Sequence, residues 1–173
     1  SVRIEVLASD GLVVPGQTID VSVLIANQGS VPVTVRGVRT AGFAGAVACD
    51  TESIVSGAVY SCAQAVTVPI DTRPTDIHWR HEPDADRYIV DEDVPFGAPF
   101  RPTPFRVTVE FDLGQGVSVA IDRPVAYRYS DDIFAGEKRT SLSVVPRFVV
   151  SMTPEIAIIP TDRDEDHEVR VSI

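Results

Sequence analysis

Apolar and polar residues alternate most regularly between Phe105 and Tyr129. Phe105, Val107, Val109, Phe111 and Leu113 are separated by Arg106, Thr108, Glu110 and Asp112, and after Gly114-Gln115-Gly116 the odd positions stay apolar through Val117, Val119, Ile121, Val125, Tyr127 and Tyr129. Side chains on a strand point alternately to its two faces, so this pattern predicts a long hairpin with one buried and one wet face. The two glycines supply the positive φ that a three-residue turn needs. Pro124 has no N–H to give a ladder, which places it at a bulge or an edge.

The same alternation marks Val2, Ile4 and Val6, then Ile19, Val21, Val23 and Ile25, then Val31, Val33 and Val35, with Val38 out of phase. The breaks are Asp10-Gly11, Val13-Val14-Pro15-Gly16 and Asn27-Gln28-Gly29, all turn chemistry. Between Ala41 and Gly57 the period weakens and short strands are expected, whereas Val59 to Val68 alternates again. No stretch keeps an apolar stripe at helical spacing for a dozen residues. The pattern predicts an all-β chain, an immunoglobulin-like antiparallel β-sandwich over 1–130.

Residues 73–103 interrupt that frame. Pro74, Pro83, Pro95, Pro99 and Pro102 deny the segment a regular ladder or helix, so it is expected as a long irregular insertion over the surface. Trp79, Tyr88, Phe96 and Phe100 are its large aromatics, suited either to pin it to the sandwich or to form a stacking platform for a sugar ring. Residues 131–173 form a connecting turn and C-terminal strands. In outline they repeat the opening: Ile158-Ile159-Pro160-Thr161 stands where Val13-Val14-Pro15-Gly16 stood, and Val169, Val171 and Ile173 match Val21, Val23 and Ile25. These strands either begin a second sandwich or finish the first one's sheets.

Charge narrows the partners. Across 173 residues, 25 acids against 15 Lys and Arg give a net charge of -10, which repels phosphate backbones and anionic lipid, so neither nucleic acid nor membrane is expected. No apolar run approaches the ~20 residues of a membrane span. Cys49 and Cys62 are the only cysteines; a cross-strand disulfide, suited to an exported protein, and a pair of buried thiols both remain open.

Candidate chemistry is sparse. His78 and His81, with Glu82, Asp84 and Asp86, supply metal-ligand atoms, but spacing fixes no third ligand, and a solvated loop with local ion pairs is the expected form. Asp162 to Glu168 carries acids at alternate positions, yet it lacks the turn glycine and distal bidentate glutamate of a calcium loop. No Gly-x-Ser-x-Gly elbow and no phosphate-cradling glycine loop occurs. No cofactor, metal or catalytic residue is therefore expected in this chain.

Two groups of motifs resemble known families. Val13-Val14-Pro15-Gly16-Gln17-Thr18, leading through Val21 to Asn27-Gln28-Gly29, resembles the opening of the small sandwich domains called NEW3, or alpha-galactosidase-associated, appended to bacterial glycan-active enzymes. Arg123 to Asp131, Gly136-Glu137-Lys138-Arg139 and Ser143-Val144-Val145-Pro146 resemble the non-catalytic C-terminal region of large secreted bacterial PIG-L (LmbE-like) deacetylases. So does Ile77-His78-Trp79-Arg80 after Val68-Pro69. That family's zinc motif is His-Pro-Asp-Asp; the nearest string, His81-Glu82-Pro83-Asp84, has an inserted Glu and lacks the second Asp, so no zinc-site residue carries over. The resemblance implies a non-catalytic accessory domain of an exported or cell-envelope bacterial hydrolase, whose partners are neighbouring domains of the same polypeptide and a glycan.

Overall fold

The computed structural model describes residues 1–46, 49–98, 101–130, 136–156, 158 and 168–173, and every regular element among them is a strand. In chain order these are β1 (Val2–Ala8), β2 (Leu12–Val13), β3 (Thr18–Asn27), β4 (Val33–Ala41), β5 (Glu52–Ile54), β6 (Val59–Thr67), β7 (Trp79–Glu82), β8 (Arg87–Val90), β9 (Arg106–Asp112), β10 (Ser118–Pro124), β11 (Ala126–Ser130), β12 (Glu137–Ser141), β13 (Ser143–Val144), β14 (Ser151–Thr153) and β15 (Arg170–Ser172). One sheet runs β12-β11-β1-β3-β6 and the other β10-β9-β4-β5. The protein is all-β, an immunoglobulin-like sandwich whose two main sheets are antiparallel apart from the pairing of β11 with β1.

Alternation decides what lies between the layers. β3 contributes Ile19, Val21, Val23 and Ile25, and β9 with the residue before it contributes Phe105, Val107, Val109 and Phe111, all buried. β4 changes phase: Val33 and Val35 point inward, then the register slips between Val35 and Gly37 and Val38 points inward as well. An extra residue at a bulge restores a hydrophobic residue to the core that strict alternation would have turned to solvent.

The expected long hairpin ends earlier than its pattern. β9 and β10 pair from Asp112↔Ser118 to Arg106↔Pro124 around Gly114-Gln115-Gly116, whose φ values are 82°, 53° and 77°. β10 is the outermost strand of its sheet, and its apolar side faces the mouth of a cleft, leaving Val119 38% exposed. Pro124 closes the ladder and the buried Val125 carries the chain across to the other sheet, where Leu7↔Ala126 and Ala8↔Tyr127 pair in parallel. Tyr127 and Tyr129 therefore belong to the sheet opposite β10.

The boundary expected at 130 falls inside a sheet. β12 pairs with β11 from Ser130↔Glu137 to Ala126↔Ser141, and β13 pairs in parallel with β2, so the sandwich continues to Val144. β14 and β15 pair with each other and with neither main layer. Cys49 and Cys62 are joined in a disulfide, but not across two strands: Cys62 is in β6 and Cys49 in the irregular segment beside it.

The insertion contains a ladder after all. β7 and β8 form a hairpin from Trp79↔Val90 to Glu82↔Arg87, because Pro83 falls in the turn, where no ladder N–H is needed. Nor do Tyr88 and Phe96 pin it. His78 and Val94 are the buried side chains of 73–98, whereas Phe96 is fully exposed and Tyr88 is mostly so; Phe100 lies outside the described residues. The segment is held by polar links instead: Thr75 N–H donates to Val144 O at 2.8 Å, and Val144 N–H donates to Thr75 Oγ1 at 2.9 Å.

Candidate functional site

The β7–β8 register places residues from both strands on one face. Trp79 is opposite Val90 and His81 is opposite Tyr88, so Trp79 and Tyr88 are diagonal neighbours within reach of aromatic rings. Their ring centroids are 5.2 Å apart at 79°, and His81 meets Tyr88 at 5.2 Å and 60°. Edge-to-face contact of this kind sets the edge of one ring against the face of the next and fixes their orientation. Trp79 is 43% exposed and Tyr88 65% exposed, so the group is a solvent-facing aromatic surface.

Charge rigidifies both ends of the hairpin. At its turn, on the opposite face, Arg87 Nε donates to Glu82 at 2.7 Å. Arg101, largely buried, pairs with Asp91 and Asp93, and Arg73 pairs with Asp76 at 3.3 Å and Asp91 at 3.6 Å. The hydrogen bond that Arg73 donates to Asp76, and the charge of that carboxylate, raise the Arg73 pKa above the usual guanidinium value. Asp91 N–H donates to His78 O at 2.8 Å, which closes the neck of the hairpin. Beside it lies a cleft of about 780 Å³, walled in part by Pro74, Pro102, Pro104 and Leu142 and carrying polar groups from Arg73, Arg101 and Arg139, from Asp93, and from hydroxyls including Thr75, Thr103 and Ser143. Guanidinium donors and hydroxyls of both polarities suit a polyhydroxylated or anionic ligand.

A second cleft, of about 570 Å³, opens at the other end of the sandwich between the start of β1, residues 27–33 and the β9–β10 hairpin. Its walls are mainly apolar, among them Val2, Val33, Phe111, Leu113, Val119 and Ile121.

Of the four aromatics expected as pins or platform, the structure brings Trp79 and Tyr88 together and leaves Phe96 apart. His81, considered first for its ligand nitrogen, is the third ring, and its Nε2 lies 3.6 Å from an Asp86 carboxylate oxygen. The alternation of Trp79 and His81 was the available signal, but it acquires meaning only once β8 is known to pair there. His78 is turned inward at the root of the hairpin. Among the described residues, no group of three or more His, Cys, Asp or Glu is placed to hold a metal ion; the acidic run 162–167 lies outside them. No helix among them is long and apolar enough to cross a membrane.

Fold and surface together define the class: an immunoglobulin-like sandwich bearing an inserted aromatic hairpin. No family model and no curated protein matches the sequence. Among solved structures the chain is similar to the sporulation control protein Spo0M from Bacillus subtilis, at 12% identity and a TM-score of 0.44, over 72% of this chain and 48% of that one. It is also similar to a beta-glucosidase from Listeria innocua in complex with gluconolactone, at 7% identity and a TM-score of 0.27, over 70% of this chain and 15% of that one. The chain thus spans less than half the length of the first and a small part of the second.

Proposed function

We propose that this chain is a non-catalytic accessory β-sandwich of a larger secreted or envelope-associated bacterial hydrolase of the PIG-L (LmbE-like) deacetylase kind, and that it holds glycan near the enzyme. The observation that carries the glycan part is the exposed face of Trp79 and Tyr88 on a hairpin braced by Arg101 and Arg73. Pyranose rings present C–H faces that pack on aromatic rings while their hydroxyls bond to nearby polar groups. The assignment to a deacetylase rests on the motif resemblance alone, and zinc chemistry would belong to another domain of the parent polypeptide.

Trp79 is the only tryptophan, so intrinsic fluorescence reports on this surface directly. Titration with cell-wall and storage glycans is expected to shift or quench the emission saturably for at least one of them. Tyr88→Ala should weaken that response without lowering the melting temperature of the sandwich. A flat response across a broad panel would leave the chain a structural spacer, the alternative in which it only sets the distance between its neighbours.

A further inference from the structure

The free edge of β10 carries an inference independent of the glycan reading. Leu113 N–H donates to Val117 O and Val125 N–H donates to Phe105 O, each at 2.9 Å, so in the β9–β10 register the odd residues exchange the ladder bonds. Backbone groups alternate sides in an antiparallel strand, so the N–H and C=O of Ser118, Ala120 and Asp122 point away from β9. The Arg123 side chain donates to Asp122 O at 3.2 Å, which marks that carbonyl as outward. Among the described residues no strand pairs on that side.

The other edges of the two main sheets are charged, short or flanked. β12 carries Glu137, Lys138 and Arg139, β5 spans only Glu52–Ile54, and β6 is flanked by the segment tied through the Ala44–Thr67 bridge and the Cys49–Cys62 disulfide. β10 is a seven-residue edge that ends in Asp122, Arg123 and Pro124 and sets Val119 and Ile121 along the mouth of the apolar cleft, and its stretch from Ser118 to Asp122 is a template for another strand.

We propose that the β10 edge pairs with the β10 edge of a second copy, antiparallel about a two-fold axis at Ala120. Among the outward-facing residues, Ala120 is the centre that suits the sequence best. Ala120 then faces itself without a clash, and Ser118 faces Asp122, so each facing pair exchanges two backbone bonds from groups already turned outward. On the cleft side Val119 meets Ile121 of the other copy, extending the apolar wall across the axis. The Asp122 carboxylate, already bonded to Arg106 and Thr108, meets a serine hydroxyl instead of another acid. An axis at Asp122 would set two carboxylates face to face, and one at Ser118 would run the partner onto the Gly114–Gly116 turn.

The test is sedimentation equilibrium of the full chain from micromolar to near-millimolar concentration. A reversible dimer of twice the 18.7 kDa chain mass is expected. Ala120→Pro removes an outward N–H that β9 does not use, and Ala120→Lys sets two cations together at the axis; each is expected to weaken dimerisation by about tenfold or more. Circular dichroism melting verifies that each variant is folded, and the lysine variant keeps the test alive if the proline variant is not. A wild-type chain that stays monomeric throughout overturns the proposal. So does a dimer unmoved by either folded variant, which would place the contact elsewhere, for instance at the exposed Phe148, Val149 and Val150. A monomer that instead binds an added extended peptide of alternating valine and threonine would also overturn it, in favour of a foreign strand.

Discussion

Asn27, the only asparagine, ties the two layers together at one end of the sandwich. It ends β3 at 2% exposure, and its Nδ2 donates to Val31 O and to Ile54 O, both at 2.9 Å, while its Oδ1 accepts from Gly29 N at 3.0 Å. One amide thus closes its own turn, fixes the lead into β4 and reaches β5 in the opposite sheet. Asn27→Leu keeps the same branched arrangement of side-chain heavy atoms and deletes all three bonds. The Ile54 bond is buried, and leaving its carbonyl unpaired costs about 1–3 kcal/mol; the other two are partly wet and cost about 0.5–1 kcal/mol each. Because Asn27 also lines the apolar cleft, water entering there moves the total toward the lower end. The expected loss is about 3 kcal/mol, or roughly 6–12 °C in melting temperature for a chain of this size. Urea unfolding followed by far-ultraviolet circular dichroism measures it, with Asn27→Asp as a companion that keeps the acceptor but turns a carboxylate toward two carbonyls. A loss below about 1 kcal/mol for the leucine variant, at unchanged denaturant slope, would refute the idea that this amide joins the layers.

Two further outcomes follow from covalent and charge links. Replacing Cys49 and Cys62 by serine frees a loop closed over a sequence separation of 13, so the unfolded chain gains freedom and stability should fall by about 3 kcal/mol, read in the same urea assay. An unchanged midpoint would mean that the loop is held without the bond. Glu5 has its pKa lowered, first by its hydrogen bond from Arg139 and then by that from Arg3, at 2.7 and 2.8 Å. A carboxyl lowered on folding binds fewer protons in the native state, so its contribution is complete above the ordinary glutamate range and is lost as pH falls through the folded value. Arg139→Gln should therefore lower stability at neutral pH and flatten its decline between about pH 5 and pH 3; parallel pH profiles for variant and wild type would contradict this.

The one-residue alternation of β3 and β9 and the Pro-Gly and Asn-x-Gly turns made the all-β sandwich legible, because burying one face of a strand writes a period of two directly into the chain. The excursion after β6 was legible too, since its prolines exclude a long ladder. Its hairpin was not, because a four-residue strand such as β7 carries no decisive period of its own.

What local pattern leaves open is which strand lies beside which. Val117 to Tyr129 shows a single phase, yet its first half is a sheet edge and its second half crosses to the other layer beside β1. Val38 enters the core through a bulge that only its pairing with β9 reveals. Cys49 and Cys62 meet because an irregular segment is laid against β6, and Trp79 and Tyr88 meet because β7 found β8. Which faces are apolar and where the chain must turn can be read along the chain, since those depend on each residue and its near neighbours. The strand partners, the free edge and the aromatic surface come only with folding, since they depend on contacts between segments distant along the chain.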